Sequence, residues 1–380
     1  MKILLIGEYS RLHNSLKEGL EKNGHEVNIV GSGDGFKNYP VDIKLDSYYF
    51  KLGLLKTIAK LFDKFFKISL NEIEIYFNAN KIISNLKNYD VVQLINENAF
   101  RTLPNLEISL IEKLKKNNTK LFLVSCGVDK KSVEYALSGK FRYSILSPYL
   151  ENPKLKKSYR YILKYTRKNY IKLHNYLMQN VNGIISSDID YHIPYINEKK
   201  YLGLIPNPIN IDKVKYEEIK TINRVKILHG VNSKNYIKKG NIFFEKALKV
   251  IEEKYKDKVE IINTKDINYI EYIKVVENCH IVLDQVYAYD QGYNALESMA
   301  LGKVVFTGAE KEWLKMYGVK ENSIVINALP DHKKIIKKLE WLIENPKTII
   351  EISNNARRFI EKNHHYISIA KQYEDIWNKH

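Results

Sequence analysis

Short apolar runs recur along this sequence, separated by stretches of helical length whose apolar residues return every three or four positions. That alternation predicts an α/β chain built on parallel sheets. Lys2 to Gly7 reads as a strand, Leu12 to Asn23 as a helix and Glu26 to Val30 as a second strand, which makes one βαβ unit. Gly24-His25 has the form of a helix C-cap leading into that second strand. Asp90 to Ile95 and Leu121 to Ser125 are further buried-strand candidates. A second series begins near Arg224, with strands at Val225 to Leu228, Val259 to Ile262, Ile281 to Leu283, Val304 to Phe306 and Ile324 to Ile326. Helical patterns at Asn241 to Tyr255, Tyr269 to Asn278, Asn294 to Leu301 and Asp331 to Glu344 separate these strands. Between the two series, the prolines of Ile205-Pro-Asn-Pro-Ile209 fix φ and hold their predecessors extended, which marks a junction. The expectation is two tandem doubly wound Rossmann-like domains facing a central cleft. They cover residues 1–205 and 206–362, and a C-terminal helix at 363–380 packs back on the first.

Composition excludes several classes. Among 380 residues, 44% are hydrophobic and 28% charged, too apolar for charge-driven disorder. Cys126 and Cys279 give no disulfide framework, so a reducing compartment is expected. The apolar run from Met1 to Gly7 is shorter than a secretory leader requires, and no window reaches the ~20 apolar residues of a bilayer span. The balance of 61 Lys+Arg against 44 Asp+Glu leaves a formal charge of +17, which fits nucleic acid, an anionic membrane surface or acidic substrates alike.

In open parallel sheets, ligands sit beyond the carboxyl ends of the strands. This points to Gly7-Glu8-Tyr9-Ser10, Asn96-Glu97-Asn98 and Cys126-Gly127-Val128-Asp129. Gly31-Ser-Gly33-Asp-Gly35 lacks dinucleotide-binding spacing and runs into Phe36 to Pro40, so it reads as a flexible loop. The richest segment is Asp284 to Val305: strand end, Gly-containing loop, helix, next strand. Gly292, Tyr293 and Asn294 place backbone amides at a helix N-terminus, an anion-binding arrangement, and Glu297 lies one turn further on, able to accept from a sugar hydroxyl.

The segment Glu297-Ser-Met-Ala-Leu-Gly302, with Gly292 before it, resembles the donor-binding motif of GT-B glycosyltransferases, a Glu, seven residues and a second Glu. Tyr289 stands where that family has the first Glu, with Asp290 one residue later. The resemblance implies that Glu297 contacts the nucleotide ribose and that Asp284-Gln285 is the polar pair facing the donor. His229-Gly230 to Lys239-Gly240 is similar to the family's basic residue, four residues, then Lys-Gly, with Lys234 and Lys239 at that spacing. Fixed cations and helix-terminal amides there would stabilise the charge on a departing diphosphate. The N-terminal half resembles the acceptor side. His13 is a candidate substrate contact, although a cap or surface position fits it as well. Glu8 and Asp129 are candidate bases toward an acceptor hydroxyl, a role that an inverting reaction requires. No Cys/His cluster has metal-ligand spacing, and His364-His365 would point to opposite sides of a helix. The resemblance implies metal-independent, retaining transfer without a cofactor beyond the nucleotide-sugar donor.

Two basic segments belong to the first half. Tyr48 to Ile68 sets Phe50, Leu54, Leu55, Ile58, Leu61, Phe62, Phe65 and Phe66 among lysines, which suits either a packed helix or one lying on an anionic membrane. Asn152 to Ser187 has eight Lys/Arg and no acid, interleaved with Tyr159, Tyr161, Tyr165, Tyr170 and Tyr176, as for a phosphate-rich partner. The expected function is transfer of a sugar to a saccharide or lipid-linked glycan acceptor, in the cytoplasm or peripheral to the inner membrane face, with no nucleic-acid partner. A nucleotide-sugar epimerase and a basic nucleic-acid-binding protein are the alternatives.

Overall fold

The computed structural model describes residues 1–34, 37, 39–66 and 68–380. Gly35, Phe36 and Asn38 of the glycine-containing loop and Lys67 of the first basic segment lie outside the described residues. The first half contains β1 (Lys2–Ile6), β2 (Glu26–Gly31), β3 (Ile43–Lys44), β4 (Val91–Leu94), β5 (Lys120–Ser125), β6 (Gly183–Ser186) and β7 (Tyr201–Leu204). The second contains β8 (Val225–Val231), β9 (Val259–Lys265), β10 (Ile281–Leu283), β11 (Val304–Thr307) and β12 (Ile326–Asn327). Their pairings are parallel, in the orders β3-β2-β1-β4-β5-β6-β7 and β12-β11-β10-β8-β9. Helices cover both faces, so β4, β6, β10 and β11 are buried along their whole length. This explains why such strands read as unbroken apolar runs instead of alternating ones.

Local chemistry sets the element ends. The helix Leu12–Lys22 stops where Gly24 takes a left-handed φ of 85°. The amides of Gly24 and His25 then satisfy the carbonyls of Glu21 and Leu20, the double bond pattern of a Schellman cap. The Pro-Asn-Pro junction is held from three sides. Tyr293 Oη donates to the Pro208 carbonyl, His364 Nδ1 to the Asn207 carbonyl, and Ile209 exchanges backbone bonds with His364 and Tyr366. His364 and His365 therefore lie in the crossing between two helices, not on one, and burial pushes the His364 imidazole down to about 4. Beyond that crossing, the helix Tyr366–Lys379 packs on Leu12–Lys22, with Trp377 fully buried and its carbonyl accepting from Lys120.

Several expectations change. Strands β3, β6 and β7 have no counterpart in the sequence reading, and the expected strand Ile324 to Ile326 pairs only at Ile326–Asn327. β6 falls inside the segment read as a basic surface, because Gly183–Ser186 is too short to announce itself. The tyrosines of that segment divide: Tyr159, Tyr165 and Tyr170 are buried in a small core with Val133, Leu146 and Ile162, while Tyr161 is exposed. They do not form a stacking platform. The segment from Tyr48 splits into a 3-10 turn, Tyr49–Lys51, and a helix, Gly53–Phe66.

The contact between first and last helices depends on Gly19, where a Cβ would sit 2.4 Å from the Tyr366 carbonyl oxygen and 2.8 Å from Ala370 Cβ. Gly19→Ala should destabilise the protein by about 1–3 kcal/mol through overpacking, seen as a lower thermal midpoint. An unchanged midpoint would show that the two helices can separate without loss.

Candidate functional site

A cavity of about 300 Å³ opens at the carboxyl ends of β8, β9 and β10. It brings together seven of the predicted donor-side residues: Gly230, Lys239, Asp284, Gln285, Gly292, Tyr293 and Asn294. Asp284, at the end of β10, organises it. Its carboxylate accepts from Lys239 Nζ at 2.7 Å, Asn294 Nδ2 at 2.8 Å and Thr307 Oγ1 at 3.2 Å. Lys239 ends a one-turn helix, Tyr236–Lys239, that closes at Gly240 with φ 69°. A Cβ there would meet Val286 Cγ2 at 2.3 Å, so glycine is required on both counts. The helix Tyr293–Ala300, capped by Gly292, presents its first amides beside this ammonium. A cation beside a helix N-terminus has the chemistry to hold an anion.

Glu297 lies one turn deeper, in an adjoining cavity of about 90 Å³ shared with Arg11 and Tyr269. It is already engaged: Lys37 Nζ, from the loop after β2, stands 2.7 Å from its Oε2. The same ammonium lies 4.6 Å from the ring centroid of Tyr269 and 5.7 Å from those of Tyr39 and Tyr293. The loop that read as a plain connection thus carries a cation across to the second half. Lys234 does not join the cavity lining; it is exposed on the turn after β8.

None of the three candidate catalytic residues lines this cavity. The Glu8 carboxylate accepts from the amides of Arg11 and Asn14 and from Asn14 Nδ2, capping the first helix. Burial pushes its carboxyl up to about 7. His13 is fully buried, donating from Nδ1 to the Gly7 carbonyl at 2.7 Å and accepting at Nε2 from Gln93. That pairing requires the neutral imidazole, and burial lowers its pKa to about 3. Asp129 caps the helix Lys130–Leu137 and accepts from Ser125 and Tyr195 through its other oxygen. Their common effect is positional. Glu8 and His13 grip a loop in which Gly7, Ser10 and Arg11 have φ of 86°, 53° and 90°, and that loop delivers Ser10 to the cavity.

A third pocket, of about 180 Å³, lies between the halves and shares Gln285 and Gly292 with the cavity of about 300 Å³. Asp188, Asp190 and Asp290 line it. Asp190 accepts from the Tyr289 amide and Asp290 from the Ile189 amide, so each half holds the other's backbone. Burial raises all three carboxyls, that of Asp290 to about 6, and the proximity of the three raises Asp188 further. Tyr289 itself turns to the interface, where its hydroxyl accepts from the Arg142 amide and its ring lies 4.5 Å under that guanidinium.

Sequence reasoning missed Ser10's role, Lys37, Tyr39, Asp188, Asp190, Thr264, Tyr269 and Tyr272. A helical pattern at Tyr269 marked its element but not its contact with the cavity; nothing local marks Lys37 or the two aspartates. For Glu8, the folded pKa exceeds the usual carboxylate value, so the folded state binds the proton more tightly than the unfolded one. Its contribution is complete below about pH 4.5 and is lost as pH rises to about 7, with a slope of up to ~1.4 kcal/mol per pH unit. Glu8→Gln should flatten the fall in thermal midpoint across that window; an unaltered profile would assign the proton elsewhere.

Residues 225–375 match the family model described as glycosyl transferase-like. No curated protein matches the chain. Among solved structures, sucrose-phosphate synthase from Thermosynechococcus elongatus is 12% identical with a TM-score of 0.61, over 100% of this chain and 98% of that one. Anabaena Alr3699/HepE, in complex with UDP and glucose, is 12% identical with a TM-score of 0.58, over 100% of both chains. A glycosyltransferase from Rickettsia africae is 15% identical with a TM-score of 0.55, over 100% and 97%. Two parallel sheets meeting at a shared cleft, together with these likenesses, give this chain a GT-B fold, and its residues 225–375 match the glycosyl transferase-like family model.

Proposed function

We propose that the protein transfers a sugar from a nucleotide-diphosphate donor to a saccharide or lipid-linked glycan acceptor. One observation carries this: Lys239, fixed by Asp284, stands beside the amide end of the helix Tyr293–Ala300 in a single cavity. Such a pairing of cation and oriented amides stabilises the charge that develops on a departing diphosphate. In this reading, residues 206–362 hold the donor and residues 1–205 present the acceptor. Glu297 takes the ribose hydroxyls, and Tyr269 and Tyr272 flank the nucleoside end of the cavity. The sugar enters the pocket of Asp188, Asp190 and Asp290, which adjoins the diphosphate position at Gln285 and Gly292. Three carboxyls there suit a hydroxyl-rich, uncharged sugar.

We read the transfer as metal-independent, because Lys239 and the amides stand where a metal's charge would otherwise be needed, and as retaining, the outcome implied by the motif around Glu297. Free thiols at Cys126 and Cys279 support a cytoplasmic setting.

Uridine diphosphate should raise the melting temperature, by the equivalent of ~2.7 kcal/mol at a hundredfold excess over its Kd. Lys239→Ala and Glu297→Ala should each remove that shift. Guanosine and cytidine diphosphates identify the base if uridine fails. A shift with oligonucleotides, and with none of the three diphosphates, would sink the transferase reading. Release of a C2-epimerised sugar without acceptor would replace it with an epimerase.

A further inference from the structure

We infer that the helix Gly53–Phe66 lies in the interface of an anionic phospholipid bilayer. Leu54, Ile58, Leu61 and Phe65 fall at i, i+4, i+7 and i+11, so they form one stripe. That stripe faces solvent: Leu54 is 76% exposed, Phe65 71% and Leu61 49%, and within the helix Ala59 alone is buried. Tyr49 and Leu52 extend it, at 70% and 67% exposure. Lys56, Lys60 and Lys64 occupy the opposite flank, where long side chains can reach lipid phosphates while the apolar stripe enters the acyl boundary. Fourteen residues extend roughly 21 Å, and no described helix is long and apolar enough to cross a membrane. The helix is therefore one that lies along a surface.

Charge names the occupant. Arg160 stands 3.2 Å from Asp63, which ties this helix to a neighbouring open groove of about 1010 Å³. Among the described residues, Lys154, Lys156, Lys157, Arg160 and Arg167 line that groove and no carboxylate does. An exposed apolar stripe beside a groove in which cations outnumber the one carboxylate that meets them complements an anionic bilayer. A second copy of this chain would bring the same cations against it, and Tyr159, Tyr165 and Tyr170 of the basic segment are buried, out of reach of a stacked base. The inference stands apart from the transferase reading and is tested without nucleotide.

The full chain should co-sediment with vesicles containing phosphatidylglycerol at low salt, and roughly tenfold less with phosphatidylcholine alone or at high salt. The triple variant Leu54→Ser, Leu61→Ser, Phe65→Ser and the charge reversal Lys156→Glu, Lys157→Glu, Arg160→Glu should each lose vesicle binding while keeping the wild-type melting temperature. Absence of binding to phosphatidylglycerol vesicles at low salt would overturn the inference. So would binding undiminished in both variants, or a wild-type dimer in solution that the serine variant converts to monomer.

Discussion

The second half of the molecule is organised around one buried carboxylate. Asp284 directly follows β10, the strand between β11 and β8, and from there it reaches a residue on each side: Thr307 at the end of β11 and Lys239 after β8. Its bond to Asn294 fixes the start of the following helix as well. A carboxylate this buried is tolerated because an ammonium and two neutral donors replace its water. Removing it would leave Lys239 without a fixed partner. The arrangement also leaves the ammonium part-exposed toward the cavity, with protons available to a second anion.

The second half was largely legible in the sequence because its chemistry is local. Gly292, Asn294 and Glu297 belong to one helix and its cap, and Lys239 and Gly240 to one turn, so short motifs and the family resemblance they carry singled them out. Fully buried strands such as β10 and β11 were equally plain. The first half resisted for identifiable reasons. Position after a strand singled out Glu8 and Asp129, and position at a helix start His13, yet it could not show that their side chains turn inward to caps and a buried imidazole pair. Lys37 meets a carboxylate 260 residues away, a contact that no local pattern encodes. The stripe on Gly53–Phe66 has the same periodicity whether it packs or faces solvent, and exposure had to come from the structure.

Polar contacts, beside the packing of Tyr289 on Phe141 and Tyr143, tie the halves at the cleft. The Asp190 carboxylate accepts from the Tyr289 amide and that of Asp290 from the Ile189 amide across it, and Arg142 reaches from the first half to Glu310 and Glu312 in the second. The crossing at His364 and the junction at Ile209 run side by side, so both chain connections between the halves are stitched together. Polar interfaces of this kind favour relative motion of the bodies they join.

The ion pair between Lys37 and Glu297 gives that motion a thermodynamic meaning. Any ligand that takes the Glu297 carboxylate competes with an intramolecular cation held at high local concentration, so its measured affinity is net of breaking a tie between the halves. By reciprocity, whatever loosens that tie strengthens the ligand's hold by the same factor. Occupancy of a site in the second half and release of Lys37 from it are two readings of one equilibrium.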